Sequence, residues 1–100
     1  MRYICNALSL QMVTSKVGAF QYCEISEEMF RTLSTGAESY VGHKDLAKIL
    51  DVPYHRANLE LQGGDVLYVA QLNNGRLKEG TQEIPSDLNM KYFQVIVMEA

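Results

Sequence analysis

The run Val66-Leu67-Tyr68-Val69-Ala70-Gln71-Leu72, entered through Gly63-Gly64-Asp65, constrains the fold of this chain more than any other segment. It is apolar and rich in branched and aromatic side chains, far shorter than the roughly 20 residues of a membrane-spanning helix, and suited to a buried β-strand. Just upstream, Ala57, Leu59 and Leu61 alternate with Asn58, Glu60 and Gln62. Residues 57–62 therefore read as a partner strand, with the glycines as the turn of a β-hairpin. A second strand-like run closes the chain at 91–98, rich in Tyr, Phe, Val and Ile. Nearer the start, residues 3–8 form a short apolar run ending at Ser9. Residues 17–25, with Val17, Phe20, Tyr22 and Ile25, have strand composition.

Two helices fit between these strands. Ser26 followed by Glu27 and Glu28 has the pattern of an N-cap with acids in the first turn, and Met29, Phe30 and Leu33 follow at helical spacing before Gly36. A second helix is expected from Gly42 or His43 to Leu50, because Leu46, Ile49 and Leu50 share one face while Lys44, Asp45 and Lys48 face away, and Pro53 ends it. The polar stretch 73–80 reads as a loop. A chain of 100 residues, 47% hydrophobic, organises a single core. The expectation is thus one α+β (mixed α/β) domain over 1–100, with a mixed sheet of about five strands and helices packed on it.

Charge and residue usage narrow the function classes. A net charge of −3 and a pI near 5.3 argue against coating long nucleic acid, which rests on many Lys/Arg contacts to phosphate. A small anionic ligand remains allowed. Cys5 and Cys23 are too few for a disulfide framework and lack zinc spacing, so they read as small core residues. No metal and no cofactor are expected, since two isolated histidines and scattered carboxylates offer no ligand set. The absence of a signal-peptide pattern and of a long apolar segment points to a cytoplasmic protein with no membrane partner. There is no G-x-S-x-G, P-loop or GxGxxG, which disfavours those enzyme classes.

With only two histidines, acid–base work near neutral pH falls to His43 or His55. His43 is the better candidate. It follows Gly42 at an expected helix start, where free backbone N–H groups attract phosphate or carboxylate, although a plain helix-capping role would also place a histidine there. Arg56 could pair with Glu60 or offer a bidentate fork to phosphate. Arg76 and Glu79 lie three apart in a glycine-bracketed loop, where function concentrates and where polarity alone also explains them. Asn6 and Ser9 sit at the end of the first strand, a common place for ligand contacts in α/β sheets. The tyrosines read mostly as core, with Tyr40 placed to lie beside a base.

Taken in order, Cys5-Asn6-Ala7-Leu8-Ser9, Ser39-Tyr40-Val41-Gly42-His43, His55-Arg56, Gly64-Asp65-Val66-Leu67-Tyr68-Val69 and Arg76-Leu77-Lys78-Glu79-Gly80 resemble the viral ring nuclease family. These are anti-CRISPR proteins of archaeal viruses and phages, similar in length and motif order over nearly the whole chain. The resemblance implies a homodimer with its two-fold axis through the ligand site, and cyclic tetra-adenylate as substrate, the second messenger of type III CRISPR defence. It further implies a metal-independent transesterification giving linear di-adenylate with a 2′,3′-cyclic phosphate. By the same resemblance His43 is the general acid to the leaving 5′-oxygen, Arg76 stabilises the phosphate, and Glu79 orients His43, Arg76 or a ribose hydroxyl. Asn6, Ser9, Gly42 and Arg56 hold ribose and phosphate. The alternative is a non-catalytic sponge for the same messenger, and a DNA-associated structural role is disfavoured by the acidic pI. His55 stands where a relative has Asn, and the segment carrying Pro85-Ser86-Asp87 differs from the full helix of some relatives.

Overall fold

The computed structural model describes residues 1–72, 77–84 and 88–100. Five strands and two helices follow the order β1 (Arg2–Cys5), β2 (Val17–Ile25), α1 (Glu27–Leu33), β3 (Glu38–Tyr40), α2 (Lys44–Leu50), β4 (Val66–Leu72) and β5 (Met90–Glu99), with a short 3-10 turn at Leu10–Met12. They form one sheet in the order β2-β5-β4-β1-β3. β3, β1 and β4 run parallel, whereas β4, β5 and β2 pair antiparallel. The fold is thus a small α+β domain with a mixed sheet. Among the described residues no helix is long and apolar enough to cross a membrane.

β4 occupies the middle of the sheet, which accounts for its unbroken apolar composition: Leu67, Tyr68, Val69 and Ala70 are all buried, alternately on the two faces. On one face, Ile4, Tyr68, Ala70 and Tyr92 meet Phe30 of α1 and Leu46, Ala47 and Leu50 of α2. On the other, Cys5, Leu67, Val69, Val95 and Val97 are covered by Leu59 and Leu61. The helices begin and end as their residues dictate. Ser26 caps α1, accepting from the Met29 amide at 3.1 Å. At the other end of α1, the Arg2 guanidinium donates to the Leu33 and Thr35 carbonyls, both at 2.8 Å. α2 ends at Asp51, whose left-handed φ of 57° closes the helix before Pro53.

The expected hairpin does not form. Both edges of β4 are taken, by β1 and β5, so residues 57–62 have no strand to pair with. They run extended across the open face instead, held by the Leu61 amide to the Met12 carbonyl at 2.8 Å and by the Thr14 hydroxyl to the Leu61 carbonyl at 2.8 Å. At Leu59 and Leu61 the two-residue alternation was a true burial signal without being a pairing signal, whereas Ala57 is exposed. The turn at 63–65 still forms, but it joins β5, through the Gly64 amide to Val97 and the Val97 amide to Asp65. The fifth strand is β3, three residues too short to show a period of two. β1 ends at Cys5 rather than at residue 8. On β2, an edge strand, Cys23 is exposed, contrary to its expected place in the core, and Tyr22 is 71% exposed.

Candidate active site

The parallel half of the sheet sets the position of the site. Cys5 of β1 is in register with Tyr40 of β3 and with Val69 of β4, so β1 and β3 end at one level while β4 runs on to Leu72 beside them. Ligands of parallel sheets gather at this end, where chain segments leave the sheet and diverge. Here they enclose a cleft of about 680 Å³ lined by Asn6, Ala7, Leu8, His43, Leu46, Gln71, Leu72 and Leu77. The volume lies within the range of small-molecule sites, roughly 300–1,000 Å³.

His43 is the N-cap of α2, with extended backbone and its Nδ1 accepting from the Leu46 amide at 3.2 Å. An accepting Nδ1 puts the ring proton of a neutral imidazole on Nε2. The capping role and the place in the cleft therefore coexist on one side chain. Asn6 ties the neighbouring strand end to this loop, its Oδ1 accepting from the Gly42 amide at 3.3 Å. Directly before Asn6, Cys5 is buried, and burial pushes its thiol up to about 12. It is no nucleophile at neutral pH.

Segment 53–56 is pinned beside β3. Tyr54 forms a parallel bridge with Val41, the Ser39 hydroxyl donates to the Pro53 carbonyl at 2.6 Å, and the His55 amide donates to Val41 at 3.0 Å. The His55 Nδ1 donates to the Ser39 carbonyl at 3.1 Å, and its ring packs on Tyr40 with centroids 4.7 Å apart. Tyr40 is thus held between His55 and Tyr3 and does not line the cleft. Exposed Arg56 follows, and its stem lies over Gly42, where an added Cβ would meet Arg56 Cγ at 3.5 Å. Arg56 and Glu60 make no ion pair among the described residues.

Ser9 is placed differently. Its hydroxyl accepts from the Gln11 amide at 3.2 Å and opens the 3-10 turn, and it does not line the cleft. Leu77 is buried at the cleft floor, while Glu79 is exposed on the turn that follows. The amide of Gly80 donates to Asp45 Oδ2 of α2 at 3.1 Å. Arg76 lies outside the described residues. The structure therefore gathers Asn6 and His43 around the cleft, bonds Gly42 to Asn6 with Arg56 packed on Gly42 although neither lines the cleft, and carries Glu79 on a turn bonded to α2. Sequence reasoning missed Gln71 and Asp45. Gln71 had a signal, being the polar interruption near the end of the apolar run; Asp45 had none, because its partner is 35 residues away.

The comparisons with known proteins concern the fold and the family. No curated protein matches the chain. Among solved structures, B116 of Sulfolobus turreted icosahedral virus (STIV) superposes with a TM-score of 0.77 at 18% identity, covering 95% of this chain and 97% of that one. At that identity the likeness is one of fold. The family profile described as STIV B116-like matches residues 2–95, nearly the whole chain, so the protein belongs to the STIV B116-like family.

Proposed function

We propose that this protein is a metal-independent ring nuclease that cleaves cyclic tetra-adenylate to linear di-adenylate with 2′,3′-cyclic phosphate ends, silencing type III CRISPR signalling. The observation that carries the reading is His43 lining the cleft at the carboxyl ends of the parallel strands, beside the Asn6–Gly42 hydrogen bond. A ribose 2′-oxygen attacks the adjacent phosphorus in line with the leaving 5′-oxygen. The new P–O2′ bond replaces the P–O5′ bond, the 2′-hydroxyl proton passes to solvent, and His43 protonates the 5′-oxygen. As imidazolium the ring has no lone pair left for the Leu46 amide. The acid form and the helix cap are therefore alternatives, and the bound phosphodiester must offset a lost cap of about 1 kcal/mol. Arg56, packed on Gly42, and Arg76 offer charge to the phosphates, and Glu79 orients a neighbouring donor.

The reading includes a second copy of the chain. The open face of the sheet carries an apolar depression in which exposed Tyr22 and Leu8 and half-buried Phe20 and Phe93 surround buried Val69 and Val95, and Leu8 with Gln71 also borders the cleft. A two-fold partner seated there would bring two clefts together around one ring of four nucleotides.

The test is incubation of the purified chain with labelled cyclic tetra-adenylate in excess EDTA, beside His43→Asn, which keeps a capping side chain but removes the acid. Linear di-adenylate from the parent alone supports the reading. Tight binding without product from the parent makes the protein a sponge, and neither binding nor product refutes both readings for this ring.

A further inference from the structure

We propose that Asp45 is a positioning residue, whose carboxylate clasps the turn carrying Glu79 onto the first turn of the helix that His43 caps. The inference rests on the catalytic reading above and adds to it how two groups far apart in sequence share one frame. His43 and Glu79 are separated by more than thirty residues, and the intervening chain crosses the whole sheet as β4. Something local must hold the Glu79 turn if its carboxylate is to act beside His43.

The turn has two anchors. One is Leu77, 8% exposed, which is packed in the core cluster with Leu46 and lines the cleft. The other is the Gly80 amide, which donates to Asp45 Oδ2 at 3.1 Å. Between them the turn closes on itself, with the Thr81 amide donating to the Lys78 carbonyl at 3.1 Å and the Thr81 hydroxyl donating to the same oxygen. Gly80 has φ +83°, so a side chain there strains the turn that aims its amide at Asp45. Glu79 thus lies between a side chain fixed in the core and an amide fixed to α2.

Asp45 is committed to this contact. An acid in the first turn of a helix ordinarily faces water or the helix's own amides, favoured by the dipole. In α2 the Leu46 amide is already taken by His43, and the half-buried Asp45 carboxylate takes an amide from a segment 35 residues away. Asp45 and His43 stand two positions apart on one rigid turn, so the clasp transmits the helix position directly to Glu79. A carboxylate is not required for the bond itself, because an asparagine oxygen accepts the same amide proton.

The experiment compares the parent, Asp45→Ala, Asp45→Asn and Gly80→Ala in two measurements. Amide hydrogen exchange reads the clasp without reference to any substrate: Gly80 is protected in the parent and in Asp45→Asn and exposed in Asp45→Ala, while the amides of residues 67–70 in β4 report that the fold is intact. Turnover of cyclic tetra-adenylate reads its purpose. Asp45→Ala and Gly80→Ala lose about tenfold to a hundredfold in kcat with KM nearly unchanged, as expected for misplacement by about 1 Å, and Asp45→Asn recovers the parent kcat within about threefold. Gly80 exchanging equally fast in the parent, Asp45→Asn and Asp45→Ala overturns the clasp. A protected Gly80 together with an undiminished kcat in Asp45→Ala overturns its positioning role. A parent that turns over no substrate while Gly80 remains protected refutes the catalytic reading instead, and with it a catalytic purpose for the clasp.

Discussion

At His43 the cap and the proposed chemistry use different ring nitrogens, Nδ1 for the Leu46 amide and Nε2 for the ligand. His43→Ala removes both, and the unfolding free energy falls by about 1 kcal/mol, the usual worth of an N-cap. His43→Asn keeps an oxygen for the Leu46 amide, so denaturant titration places it within a few tenths of the parent on the same scale. Both variants lose cleavage alike, which separates the structural part of the histidine from the chemical part. A second residue reports its surroundings through pH. Burial, then the nearby Glu27 carboxylate, pushes the Tyr92 phenol from 10.0 up to about 12, and its hydroxyl donates to Glu27 Oε1 at 3.1 Å. The folded form therefore favours the protonated phenol. This share of stability is complete below pH 10 and is lost as the pH rises toward 12, where the folded phenol also ionises. Titration of tyrosinate absorbance shows a component near 12 that disappears in Tyr92→Phe; a component near 12 that persists in that variant refutes the assignment.

At the scale of elements, the extended segment 57–62 does what a helix layer does on the other face: it covers apolar sheet surface. Leu61 is fully buried against the cluster of Leu67, Val69, Val95 and Val97. Leu61→Ala leaves a cavity between this segment and the sheet, and costs about 2–4 kcal/mol by thermal or denaturant unfolding. Glu60→Ala, at an exposed position of the same segment, changes stability by less than about 0.5 kcal/mol. Equal effects at the two positions would show that the segment does not pack as described. The helices are fixed more locally. Ser26 and the acids after it start α1, and Arg2 finishes it from the first strand by binding two carbonyls at its end. A long-range side chain thus completes a helix that seven residues alone would hold only marginally.

For the whole molecule, the sheet is asymmetric in its cover. The helices close one face, whereas on the other Phe20 and Phe93 are only partly buried against the cluster of Leu59 and Leu61, and exposed Tyr22 packs edge-on against Phe93 with centroids 6.4 Å apart. If a second copy seats there, sedimentation gives twice the mass of 11.3 kDa, and Phe20→Asp or Tyr22→Asp returns the protein to a single copy with its circular dichroism unchanged. Under the proposed function cleavage then falls with the dimer, because each cleft would supply half of the enclosure for a cyclic tetranucleotide. A parent that sediments as one copy and still cleaves refutes that part of the proposal.

How much of this was legible before folding depends on the range of the forces involved. Caps, helix faces and the apolar run of β4 are local or periodic features, and residues 26–33, 43–50 and 66–72 adopt the expected elements because the determining contacts lie within a few positions. Strand partners are not local. Leu59 and Leu61 face inward as the alternation indicates while Ala57 is exposed, yet only the claim of β1 and β5 on both edges of β4 decides that the segment crosses the face instead of joining the sheet. The site divides in the same way. His43 and Asn6 are marked in the sequence by residue type beside a helix start or a strand end. The parallel register that levels their strand ends, the commitment of Ser9 to its own turn, and the bond from Gly80 to Asp45 exist only once the chain has closed on itself. Residue chemistry is a property of single positions, while placing two such residues at one cleft depends on the free energy of the whole packed sheet.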